Sequence, residues 1–199
     1  MMVVAAIKPL TAEEYLQQEE QAIEKSEFIQ GEIIPMAGAS ANHNRLTFNL
    51  SRLLPLEIGD RQYEIFVSDM RLWIAESESY FYPDLMVIAE EPKFTDNSQM
   101  AVTNPCLIAE VLSTSTAGFD KNQKFGFYRT IPQLQEYLLI DQSCYRVEHY
   151  QKVGDRQWLL TELMGENAEI EFSFMKIKIK LVELYKRVDF SPTPPNSTT

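Results

Sequence analysis

Two carboxylates stand in the middle of strand-forming apolar runs. Asp84 lies in Tyr80-Phe81-Tyr82-Pro83-Asp84-Leu85-Met86-Val87-Ile88, and Glu110 in Cys106-Leu107-Ile108-Ala109-Glu110-Val111-Leu112. A buried carboxylate without a partner is costly, so each requires a cation, a hydrogen-bond donor or a proton. Side by side on neighbouring strands, the two could share one divalent ion. A ligand set of oxygens with open positions favours magnesium or manganese over zinc. Taken singly, either residue could instead be a strand-end group facing water, or half of a salt bridge. The residues after Glu110 sharpen the reading. Ser113-Thr114-Ser115-Thr116 offers hydroxyl caps, and Asp120, Lys121 and Lys124 come next. A helix that starts there and folds back on the sheet carries Lys121 or Lys124 toward the carboxylates. Lys124 shares a helix face with Phe127 and Tyr128. Such a lysine can orient a water nucleophile or stabilise charge developing on a phosphorane; the alternative is a solvated helix lysine.

Other catalytic chemistry is scarce. The chain has two histidines, His43 and His149, and His149 falls in an alternating, edge-type strand that suits a structural role. No C-x-x-C pair, phosphate-binding loop or G-x-S-x-G elbow is present. Ser113 and Ser115 lie near an acid but have no base in view, which argues against a serine hydrolase.

The elements that must position these residues can be read from pattern. Thr11-Ala12-Glu13-Glu14 is a capping box that opens a short polar helix to about residue 21. Residues 27–29 and 32–34 form two strands around Gln30-Gly31. Leu46, Leu50, Leu53 and Leu54 recur at helical spacing and predict an amphipathic helix over 42–54. Residues 63–74 predict one long strand and 80–89 another. Residues 90–105 are polar and irregular, a surface loop suited to a lid. Residues 106–112 predict a buried central strand and 117–130 a helix. Strands continue at 135–141, 145–151, 156–163, 169–174 and 177–184. The expected architecture is α/β: parallel and antiparallel pairs mixed in one central sheet, with the two main helices on its faces. Residues 1–190 read as a single domain and 191–199, rich in Pro, Ser, Thr and Asn, as a disordered tail.

Bulk composition bounds the function. A chain of 199 residues can bury a sizeable core. No segment approaches the ~18 uninterrupted apolar residues of a membrane helix. The start lacks the basic residues and cleavage site of a signal peptide. Cys106 and Cys144 each sit in an apolar run and read as buried free thiols, consistent with a reducing cytoplasm. The net charge of -11 counts against tight, unaided binding of nucleic acid, which usually needs a basic face.

Several motifs, in order, resemble the Uma2 (DUF820) branch of the PD-(D/E)XK nuclease-like superfamily. They are Gly31-Glu32, Ser40 with His43, Ser68-Asp69-Met70-Arg71, Tyr82-Pro83-Asp84, Asn104-Pro105 leading to Glu110-Val111-Leu112-Ser113, Ser115-Thr116 with Asp120 and Lys124, and Glu136-Tyr137-Leu138-Leu139-Ile140-Asp141. Singly each is weak; together they span about residues 10–185. The resemblance implies a restriction-endonuclease-like core with an N-terminal hairpin and extra C-terminal strands. Pro83-Asp84 matches the first half of the superfamily motif, and Glu110 its second acid. Leu112 replaces the usual lysine two residues on, and Lys124, from the following helix, is the match. Glu32 corresponds to an additional acid able to bind the metal or its water. His43 either contacts phosphate or orders the site, with a purely structural role as the alternative.

The expectation is a cytoplasmic, magnesium- or manganese-dependent endonuclease acting on DNA. Asp84, Glu110 and Glu32 would be its metal ligands, and Lys124 and His43 its further catalytic residues. The alternative is a non-catalytic module that keeps the fold for binding or assembly. A cut through both strands of a duplex calls for two sites. Trp73 and Tyr80-Phe81-Tyr82, taken as exposed, supply material for a homodimer interface.

Overall fold

The computed structural model describes residues 9–36, 38–113, 118 and 123–191. Asp120, Lys121, most of the hydroxyl run after Ser113, most of the helix expected over 117–130 and the tail beyond Ser191 lie outside the described residues. Helix α1 (Ala12–Glu19) opens with the expected capping box: the Glu14 N–H donates to Thr11 Oγ1 at 3.1 Å, and the Thr11 N–H to Glu14 Oε2 at 2.8 Å. Strands β1 (Ser26–Ile29) and β2 (Glu32–Pro35) form a hairpin. Its two turn residues, Gln30 and Gly31, both have positive φ, as a tight hairpin turn requires. A Cβ on Gly31 would also meet the Pro9 ring at 2.7 Å.

Helix α2 (Ala41–Leu53) buries Leu46 and Leu50. Then come β3 (Glu57–Ile58), β4 (Arg61–Val67), β5 (Arg71–Ile74), β6 (Ser79–Phe81), β7 (Leu85–Ala89), β8 (Ala101–Val102) and β9 (Leu107–Leu112). A π-helical turn at residues 123 and 124 leads into the short helix α3 (Phe125–Tyr128). The chain continues through β10 (Glu136–Asp141), β11 (Arg146–Gly154), β12 (Gln157–Met164), β13 (Glu169–Phe172) and β14 (Ile177–Lys180), and then helix α4 (Leu181–Leu184).

The strands divide between sheets rather than forming the single one expected. A seven-stranded sheet runs β12-β11-β10-β9-β7-β4-β3, and a five-stranded sheet runs β2-β1-β6-β5-β8. Only β9 and β10 pair in parallel within the larger sheet, so it is mixed. β13 and β14 pair with each other. Alternation along β7, β9 and β10 sends Leu85, Val87, Leu107, Ala109, Val111, Leu138 and Ile140 to one face, against α2, α4 and the β13–β14 hairpin. Met86, Ile88, Ile108, Leu112, Tyr137 and Leu139 go to the other. There they meet Tyr128 and the inner side of the five-stranded sheet, including Leu72, Ile74, Phe81 and Val102. Glu110 shares the second face by parity.

Further sequence readings change. The strand expected over 63–74 breaks between Val67 and Arg71, where Ser68 takes a φ of 52°. The strand expected over 80–89 breaks between Phe81 and Leu85, at Pro83, which has no N–H to give a ladder. Residues 90–105 are not wholly an irregular surface loop: Ala101 and Val102 are buried as β8, and the Asn104 side chain holds the segment by accepting from the Lys93 N–H and donating to the Glu91 carbonyl. Cys144 is exposed in the turn after β10, whereas Cys106 is buried with its thiol pushed up to about 12 by burial.

His149 is indeed enclosed, its Nε2 2.8 Å from Glu136 Oε2, but β11 is an inner strand because β12 covers its edge. Tyr80, Phe81 and Tyr82 are buried within the chain and Trp73 packs on Tyr80, so these aromatics fill the monomer. Among the described residues no helix is long and apolar enough to cross a membrane.

Candidate active site

Both strand breaks occur at one level of the molecule. Val67 pairs with Leu85 in the seven-stranded sheet, while Leu72 pairs with Phe81 in the five-stranded one, so both segments change sheets between those points. The Ser68 N–H donates to the Asp84 carbonyl at 3.1 Å and ties the two breaks together. Asp84 therefore stands where the sheets part. β7 lies antiparallel to β9 with Leu85 opposite Ala109, which brings Asp84 level with Glu110. The Asp84 N–H points at Glu110 Oε2, 3.4 Å away, and Asp84 Oδ2 accepts from the Val111 N–H at 2.7 Å.

Two further elements close on this pair. Ser40 caps α2 by accepting the His43 N–H at 3.0 Å, which fixes His43 in the first turn. Its imidazole Nε2 then lies 3.0 Å from Asp84 Oδ1. From the opposite side, Lys124 Nζ and the Tyr128 hydroxyl both donate to Glu110 Oε1, at 3.2 and 2.7 Å. Burial above all, and then the charges of Glu110 and Glu27, push the Tyr128 hydroxyl well above its ordinary range, so it stays a neutral donor.

The residue that sequence reasoning missed is Glu27. It is buried on β1, and its Oε1 lies 2.9 Å from Lys124 Nζ and accepts the Tyr82 N–H at 3.2 Å. Glu32, the acid expected from this hairpin, is exposed at the start of β2. Both acids fit a hairpin pattern; the pairing of Phe28 with Tyr80 decides which is carried between the sheets. The only local signal for Glu27 is a carboxylate flanked by Phe28 and Ile29, the same kind of signal that marks Asp84.

The site is graded from closed to open. Glu27, Glu110 and Lys124 are at most 7% exposed, whereas the side chains of Asp84 and His43 are each 16% exposed. Among the described residues no group of three or more His, Cys, Asp and Glu is gathered to cage an ion. The donors fit magnesium better than a caged metal. Two neighbouring hard carboxylates, Asp84 at the partly open mouth and Glu110 buried beside it, suit an ion held by one or two carboxylates and otherwise by water and phosphate. Asp84 and Glu110 are the residues that could hold it.

Comparison with known proteins places the chain in a family. The model of the Uma2 family, described as "Putative restriction endonuclease", matches residues 12–180. The uncharacterized protein sll1609 of Synechocystis sp. is 93% identical over 177 residues, which cover 89% of this chain and all of that protein. The uncharacterized protein slr1290 of the same organism is 33% identical over 186 residues, 94% of this chain and 96% of that one. A crystal structure from Anabaena variabilis, described as "a putative nuclease belonging to DUF820", superposes with a TM-score of 0.68. It is 17% identical and covers 89% of this chain and 98% of its own, so the likeness is one of fold.

Proposed function

Because this chain belongs to the Uma2 family, we propose that it is a nuclease that hydrolyses phosphodiester bonds in DNA with the help of magnesium or manganese. The observation that carries the reading is the meeting of Asp84 and Glu110, from adjacent strands, with Lys124 and His43 at the parting of two sheets. Asp84 and Glu110 would hold the metal, which when bound supplies a Lewis acid for the phosphoryl oxygens and a more acidic water.

The chain's own groups account for the rest. Water attacks phosphorus and the P–O bond to the leaving oxygen breaks, so negative charge builds on the phosphoryl and leaving oxygens. Lys124 supplies an ammonium for that charge, held by Glu110 and Glu27 so that little reorganisation is needed when the charge develops. His43, at the open side, is placed to orient Asp84 and to meet a phosphate at the mouth. Tyr128 fixes the Glu110 carboxylate by occupying Oε1. Glu32 is left out of the site in this reading.

The net charge of -11 favours a second reading, a binding or assembly module in which the same ion pairs are structural. A panel of duplex DNA, single-stranded DNA and RNA, incubated with and without manganese, separates the two. Metal-dependent cleavage of DNA that falls by roughly 100-fold or more in Asp84→Ala and Glu110→Ala is expected. A chain that cleaves none of the three with either metal, and whose melting temperature does not respond to magnesium, is the module instead.

A further inference from the structure

The seven-stranded sheet ends on β12, and among the described residues no strand pairs with its outer edge. β12 is eight residues long, whereas the free edges of the other sheets are strands of four residues or fewer among the described residues. Long edges are ordinarily guarded by lysine, proline or a bulge, because their unpaired N–H and C=O groups template another strand. The run Gln157-Trp158-Leu159-Leu160-Thr161-Glu162-Leu163-Met164 has neither lysine nor proline. The one register shift falls in β11 between Lys152 and Gly154, beside the turn, and leaves the outer strand regular. The single charge, Glu162, is already paired to Arg146 at 2.5 Å. Leu159, Leu160 and Met164 are 51%, 49% and 66% exposed.

We infer that β12 is the interface of a two-fold homodimer, in which the edges of two chains pair antiparallel and join the two large sheets. The occupant is a second copy because no other described edge of this chain is long enough to complete β12, and because the sequence is self-complementary about Thr161. With Thr161 facing its own copy, Leu159 lies opposite Leu163, and Trp158 opposite Met164. These are apolar and sulfur–aromatic pairs that stabilise neighbouring strands. Beyond the paired residues, Arg156 in the turn before β12 and Glu166 in the turn after it, both exposed, put opposite charges at each end of the interface. Leu160 faces Glu162, whose charge is met within its own chain. The register thus places opposite charges together at both ends and avoids facing like charges across the axis.

The test is the molar mass of the full chain by light scattering at micromolar concentration. The wild type is expected at twice the 23.0 kDa of one chain. Leu159→Lys and Arg156→Glu are expected to shift it toward one chain with unchanged circular dichroism, since both sites are exposed. Restoration of the dimer in the Arg156→Glu, Glu166→Arg double variant reports the cross-chain pair itself. A wild-type mass of one chain overturns the inference. A dimer that survives Leu159→Lys overturns the assignment of the interface to β12, and a double variant no more dimeric than Arg156→Glu overturns the register.

Discussion

Lys124 is the residue on which the site's electrostatics turn. It is buried between Glu27 and Glu110, and its ammonium is the charge that joins the two carboxylates. Breaking a buried pair by deleting one partner typically costs ~3–5 kcal/mol, far more than the net worth of the pair. Lys124→Met is therefore expected to lower stability by about that amount in urea unfolding at neutral pH. Lys124→Arg should recover part of it. Tyr128 gives a pH signature. Its hydroxyl is raised well above the ordinary value of 10.0, by burial first and then by Glu110 and Glu27. Below that value it is neutral in both folded and unfolded chains; above it the unfolded chain ionises while the folded one resists, so stability falls as pH rises past 10. Tyr128→Phe should flatten that alkaline limb, read as the urea midpoint between pH 8 and 11. Asp84 and Glu110 were legible because each is a polar group where the pattern calls for an apolar one, whereas His43, and Lys124 over Lys121, came from the family resemblance. Glu27 was not legible, because its inward placement depends on β1 pairing with β6, a contact more than fifty residues away in sequence.

At the level of elements, most strands and α2 follow from alternation and from leucine spacing, and the capping box fixed the start of α1. The two breaks that build the site did not show. Phe66, Val67, Leu72 and Ile74 alternate as well as any continuous strand, and nothing local states that Val67 belongs to one sheet and Leu72 to another. The clue is conformational: Ser68 occupies the left-handed region, which a β-branched side chain strongly resists. Ser68→Val is expected to cost about 1 kcal/mol or more, and Ser68→Gly to leave the melting temperature unchanged or raised. A Ser68→Val chain that melts with the wild type would mean that the turn is not what separates the sheets. The aromatics near residue 80 misled for a related reason. A run of tyrosine and phenylalanine is read as exposed, but β6 lies between β1 and β5 and its aromatics are buried.

For the molecule as a whole, the charge of -11 bears on how the proposed nuclease would meet a polyanion. In that proposal few phosphates are neutralised by the chain itself, and much of the attraction comes through the divalent ion. Binding of a labelled duplex in calcium is expected to depend weakly on salt, with a log–log slope shallower than about -3. Without a divalent ion, binding should be near background; a steep slope in EDTA would reveal a basic surface outside the candidate site. The architecture carries one more implication. Glu27 rides on one sheet and Glu110 on the other, and a single lysyl side chain spans them. That side chain acts as a gauge block between two jaws: the gap cannot widen without lengthening one of its two ion pairs, so Lys124 helps to set how far apart the two sheets stand at the candidate site.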